Sequence, residues 1–201
     1  WCWHRADSGE RRLSGAAGLG GRMMGGMDFV ACPQRPKSAV GPVGWAFVIL
    51  PSGVSASLPR RGRVTVAVRI NGYAFNARLE PDGQKSHWLR MDDAVLKAAG
   101  GSIGESVRFE IAELDEEPEP AVPDDLAQAL ASDADACRTW EATTVLARVD
   151  WIHWLESARQ AKTRAKRVAD ACEMLGQGKK RVCCFDPSGF YSKAFRAPEV
   201  G

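Results

Sequence analysis

With 201 residues, 45% of them hydrophobic and 26% charged, the chain has the length and composition of one or two globular domains with real cores. No stretch approaches the roughly 18 apolar residues of a membrane span, and the first residues do not form a signal peptide. Six irregularly spaced cysteines without a Cys-x-x-Cys argue against a disulfide framework, so a soluble cytoplasmic protein is expected.

The net charge of +2 hides an uneven distribution. Between Glu117 and Asp150 eight acidic residues face two basic ones, Arg138 and Arg148; between Arg159 and Arg181 eight basic residues face two acidic ones, Asp170 and Glu173. An acidic stretch therefore precedes a basic one.

Residues 1–26 are rich in Gly and Arg and carry neither helical nor strand periodicity, and they read as a disordered upstream tail with Met23, Met24 and Met27 as candidate starts. A small β-rich domain is expected over 27–116. Trp45-Ala-Phe-Val-Ile-Leu50 reads as a strand stopped by Pro51, and Val64, Val66, Val68 and Ile70 alternate as a strand with one buried face. Asn71-Gly72 is a strong hairpin signal, with 73–79 as the returning strand. After the turn at Pro81-Asp82-Gly83 comes a strand over 86–91, then a short helix capped by Asp92 and ended by Gly100-Gly101. Val107, Phe109 and Ile111 alternate in a last strand. Together these predict a small barrel carrying one short helix.

Residues 117–123, with Pro118, Pro120 and Pro123, read as a solvated linker. A helical module over 124–193 follows. Asp124 and Asp125 open its first helix, Asp133 caps a second, and Thr143 or Thr144 caps a third that carries Trp151, Trp154 and Leu155. Ala161, Ala165, Val168, Cys172 and Leu175 form the apolar stripe of a fourth, ended by Gly176 and Gly178. Phe185, Phe190 and Tyr191 are expected to dock on the tryptophan-bearing helix, which would shield Cys183 and Cys184. Residues 194–201 read as a tail. The fold class is α+β.

Leu58-Pro-Arg-Arg-Gly, Ile70-Asn-Gly-Tyr-Ala-Phe75, Glu80-Pro-Asp-Gly83 and Ser86-His-Trp-Leu89 resemble a bacterial domain of unknown function with a small split β-barrel. Val122-Pro-Asp-Asp-Leu126, Trp151-Ile-His-Trp154 and Ala161-Lys-Thr-Arg-Ala-Lys-Arg167 resemble the helical segment called YdeI/OmpD-associated, and Arg181-Val-Cys-Cys-Phe-Asp-Pro-Ser-Gly-Phe-Tyr-Ser-Lys193 is similar to the ending of one branch of that family. The likeness spans about 28–199 and departs at Cys32-Pro33, which interrupts the first strand. It implies a barrel of the AbrB-like fold group and, by family name, a link to bacteriocin or antimicrobial-peptide resistance. It brings no catalytic residues, and fold alone does not assign function.

Two features could carry chemistry. Arg159, Lys162 and Lys166, with Arg164 and Arg167 close by, would make a basic helical face that Lys179, Lys180 and Arg181 extend; such a row can hold phosphates, although a solvated helix face looks the same in sequence. The segment with Cys183, Cys184, Asp186, Tyr191 and Lys193 could hold an activated thiol beside Lys180 and Arg181, with His153 as the only base in prospect, or be simply a packed turn. Cys137 and Cys172 read as buried thiols, and Cys2-Trp-His4 is the only pair with metal-like spacing. No cofactor is implied. The expected function is a non-enzymatic accessory protein that binds a protein partner in a stress or antimicrobial-resistance role. A nucleic-acid binder using the basic helix is the first alternative and a thiol-dependent enzyme the second.

Overall fold

The alternating valines before Asn71-Gly72 form the spine of a six-stranded sheet. A computed structural model describes residues 25–38 and 43–201; the tail expected over residues 1–26 falls, up to residue 24, outside the described residues, as does Cys2-Trp-His4. In chain order the elements are β1 (Met27–Ala31), β2 (Trp45–Ile49), α1 (Ser52–Ala56), β3 (Val64–Ile70), β4 (Tyr73–Pro81), β5 (His87–Asp92), α2 (Asp93–Ala98) and β6 (Val107–Glu113), then α3 (Asp124–Ala131), α4 (Ala134–Glu141), α5 (Val145–Glu156) and α6 (Ala161–Gly176). The class is α+β: a strand-rich part that includes α1 and α2, with helices α3 to α6 after it. The described residues divide into two units, one of Glu117–Pro187 and one of those up to Glu116 together with Ser188–Gly201.

In the sheet-bearing unit the strand order is β1-β6-β3-β4-β5-β2, with every neighbouring pair antiparallel, and the sheet curls into a half-barrel. Positive φ at Asn71 (48°) and Gly72 (86°) gives the two-residue turn that matches strand twist, and it sets Val64 opposite Leu79 and Val68 opposite Phe75. Val64, Val66, Val68, Ile70, Leu79, Leu89, Phe109 and Ile111 line one buried face; Phe75 is half-buried against it. A single apolar face is what a curled sheet encloses. Strand β1 stops at Ala31, directly before Cys32-Pro33.

Two details depart from the sequence reading. The turn after Leu50 is not a simple stop: Ser52–Ala56 winds into α1, with Val54 against the core. Asp92 precedes α2 without a side-chain capping bond, because its carboxylate accepts instead from Arg90 at 3.3 Å.

The second unit packs α3 to α6 around Leu126, Leu130, Trp140, Trp151, Ile152, Leu155 and Leu175. Asp133 Oδ1 accepts from the N–H groups of Asp135 and Ala136, both at 3.0 Å, and Thr144, not Thr143, accepts from Ala147 N–H. These caps fix where α4 and α5 begin. Helix α5 buries Ala147, Val149, Trp151, Ile152, His153 and Leu155, positions spread around its circumference rather than along a single stripe. Cys137 is buried and Cys172 half-buried, and burial raises the Cys172 thiol above its ordinary pKa.

The C-terminal segment corrects the expected docking. Of the three rings, Phe185 packs edge-on against His153 of α5, with ring centres 5.4 Å apart. Phe190 instead lies beneath the Lys85 ammonium, 4.4 Å from its centre, and Tyr191 is 83% exposed. Residues 194–201 are no free tail. Lys37 N–H donates to Glu199 C=O at 2.7 Å and Gly201 N–H to Arg35 C=O at 3.0 Å, while Phe195 closes over Gly83 and Gly189. Main-chain pairing against 35–37 gives this stretch hydrogen bonds that ring burial on a helix could not supply.

Candidate ligand-binding cleft

Three cations of the basic row foreseen along α6 are paired within their own unit. Arg164 donates through Nε and Nη2 to both oxygens of Asp125 on α3, at 2.8 and 2.9 Å. That bidentate bond lowers the Asp125 pKa and raises that of Arg164. Lys166 pairs with Asp170 one turn on, at 2.7 Å. Arg167 donates to the Trp154 carbonyl and, at 2.6 Å, to Ser157 Oγ, with its guanidinium 5.3 Å from the Trp154 ring centre. Arg159 precedes the helix, whose N-cap is Gln160. Arg159, Lys162, Lys179, Lys180 and Arg181 are exposed. They stand at opposite ends of a 16-residue helix that is about 24 Å long at about 1.5 Å per residue, more than twice the Debye length of about 8–10 Å. They do not form one continuous patch.

The thiols expected to be shielded are exposed. Cys183 Sγ and Cys184 Sγ lie 3.3 Å apart, and the left-handed backbone at Cys184 (φ 57°) turns the pair outward before Phe185 docks. The hydrogen bond with Cys183, and repulsion from it, raise the Cys184 pKa, the opposite of an activated thiol. His153 is buried. Asp186 is half-buried, and Lys193 lies over the Phe190 ring at 4.5 Å. Among the described residues no group of three or more His, Cys, Asp or Glu side chains is placed to hold a metal ion.

Another pairing, Ser55 with His87, has the look of a nucleophile beside a base. His87 Nε2–H donates to the Gly62 carbonyl at 3.0 Å, so Nδ1 accepts from the Ser55 hydroxyl at 2.7 Å. Both residues are fully buried, and no substrate reaches a hydroxyl without surface. Burial lowers the His87 pKa, and the neutral ring locks α1 and the loop at Gly62 onto β5.

The feature that can hold a ligand lies in the sheet itself. Strand β4 pairs with β3 from Tyr73 to Leu79, but with β5 only from Leu79 to Pro81, opposite His87 to Leu89. The rest of β5 pairs on its other side, Leu89 to Asp92 against Val48 to Trp45. Residues 73–78 of β4 therefore have no register partner in β5, and the two strands part around a cleft of about 580 Å³. The parting opens both faces of the sheet: Phe75 and Met91 from the core side line the cleft together with Arg78, Glu80, Trp88 and Arg90 from the other.

Three guanidiniums meet two carboxylates there. Arg63 Nε binds Glu80 at 2.8 Å, and Arg90 binds Asp92 at 3.3 Å while stacking 4.6 Å from the Trp45 ring centre. The Arg78 side chain makes no hydrogen bond or ion pair among the described residues, and its Nε is buried. Sequence reading passed over these residues because the search followed clustered charge. The usable signal was alternation, which puts Arg78 and Glu80 on the face opposite Phe75 and Leu79; that β4 and β5 separate is not written in that pattern.

Two family models match the chain. Residues 25–111 match the domain of unknown function DUF1905, and residues 119–178 match the family described as bacteriocin-protection, YdeI or OmpD-associated. Comparison with curated proteins finds no match. Among the described residues no helix is long and apolar enough to cross a membrane. The chain thus carries a match to the DUF1905 domain ahead of a match to the bacteriocin-protection, YdeI or OmpD-associated family.

Proposed function

We propose that the protein is a non-enzymatic accessory protein that works by binding, with the cleft between β4 and β5 as its ligand site. The observation that carries this reading is the cleft's lining, where a spare guanidinium and aromatic walls converge in a concavity of ligand size. These are groups that hold and orient a molecule. The family description favours a role in protection against bacteriocins or similar antimicrobial peptides. Nucleic-acid binding is the second reading, supported by the exposed run Lys179, Lys180 and Arg181.

Amide-resolved NMR of the full chain against a mixed set of small acids, amides and short peptides tests the leading reading. Expected are shifts concentrated at Phe75, Trp88, Arg90 and Val95, with every ligand recovered unchanged after prolonged incubation. Shifts clustered elsewhere, or conversion of a ligand, would overturn it.

A further inference from the structure

We infer that the cleft takes a carboxylate carried on a flat apolar body, held by Arg78; the inference rests on the reading above that the cleft is the ligand site. Charge comes first. Glu80 is matched by Arg63 and Asp92 by Arg90, so of the five charged groups lining the cleft only Arg78 lacks a counter-charge. Its guanidinium lies in a partly covered setting, with Nε cut off from water and unbonded. The terminal Nη groups, which are not among its buried atoms, are the donors that an acceptor brought from outside can reach. The lining's excess of one positive charge fits a monoanion, whereas a phosphate dianion would leave the filled cleft negative. A planar guanidinium also offers two parallel N–H groups, the match for the two oxygens of a carboxylate.

The walls describe the rest of the ligand. Phe75, Trp88 and Val95, each half-buried, line the same cleft as Arg78 with ring faces and branched apolar surface. A volume of about 580 Å³ suits a molecule of the size of one or a few amino acids. Two sources carry this chemistry: a free aromatic or branched acid, and the C-terminal residue of a peptide, whose backbone could run beside the unpaired stretch of β4.

The test compares three probes on the full chain by NMR titration: N-acetyl-phenylalanine, its neutral C-terminal amide, and N-acetyl-glycyl-glycyl-phenylalanine with a free carboxylate. The free acid should bind about tenfold or more tightly than the amide. Arg78→Met should remove that advantage while leaving the amide's affinity unchanged, and Arg78→Lys should restore part of it. Tighter binding of the tripeptide than of the single acid identifies a peptide C-terminus as the ligand; equal binding identifies a small free acid. Should Arg78→Met fail to fold, the acid–amide comparison on the unaltered chain decides alone. Equal affinity of acid and amide at the cleft overturns the carboxylate inference and leaves the cleft as a binding site. Absence of cleft shifts with every probe overturns both. Displacement of the acid by inorganic phosphate at a lower concentration than by acetate also overturns the inference.

Discussion

His87 shows how much one buried polar residue can decide. A ring with no exposed surface must be neutral unless something compensates its charge, and here both nitrogens are already used, one by Gly62 C=O and one by Ser55 Oγ. Its pKa is lowered from the ordinary 6.5, with burial as the main cause. The unfolded chain therefore takes up the proton first as pH falls. The stabilising contribution is complete above 6.5 and is lost progressively below it, through the depressed folded-state value. The unaltered chain should lose stability between about pH 6.5 and 5 relative to His87→Gln, which keeps a neutral donor but cannot titrate there. Urea midpoints of the two proteins across that range check this, and a difference that does not change with pH would remove His87 from the account. The Asp125–Arg164 pair acts in a separate window, since its carboxylate titrates below the ordinary 3.8.

At the scale of elements, the β3 pattern and the helix caps act through local rules, and local rules were readable. Alternating Val64, Val66, Val68 and Ile70 can bury a row only as a strand, and all four are buried. Asp133 ends one helix connection and starts α4 by accepting two main-chain N–H groups. Asp133→Ala should cost about 1 kcal/mol in chemical denaturation, with Asp133→Ser restoring most of it; an unchanged midpoint would mean that packing alone sets the start of α4. The basic face of α6 shows the limit of such rules. Sequence spacing finds which charges share a helix face, but Asp125 on α3 and the Trp154 carbonyl on α5, which occupy Arg164 and Arg167, are brought near only by helix packing.

At the scale of the whole molecule, the sheet-bearing unit is assembled from two stretches of chain far apart in sequence, since Ser188–Gly201 joins the residues before Glu117. Gly83 is where this closure is most exacting. A Cβ there would stand 2.1 Å from the Phe195 carbonyl oxygen, at a residue whose φ of 73° already disfavours side chains. Gly83→Ala should therefore cost about 2 kcal/mol or more and make the chain cleavable by protease beyond Pro187. Gly100→Ala is the control: its φ is 65°, but its nearest neighbour is 3.9 Å away, so about 1 kcal/mol is expected. Equal losses in the two variants, with no new cleavage, would show that the closing segment contributes little.

What this sequence determined by itself was whatever depends on neighbours in the chain. The period of two in Val64 to Ile70, the Asn71-Gly72 turn, the caps at Asp133 and Thr144 and the order of strands before helices all follow from a few adjacent residues and their allowed conformations. The quoted motifs likewise pointed to both families that the chain matches. What only the tertiary structure decided was where strands separate and which charges find partners. The cleft exists because β5 keeps its pairing with β2 while β4 follows β3, and Arg78 is left over because Glu80 is paired with Arg63, ten residues before β4. Such outcomes depend on contacts between distant residues, which compete for one another only once the chain has closed on itself.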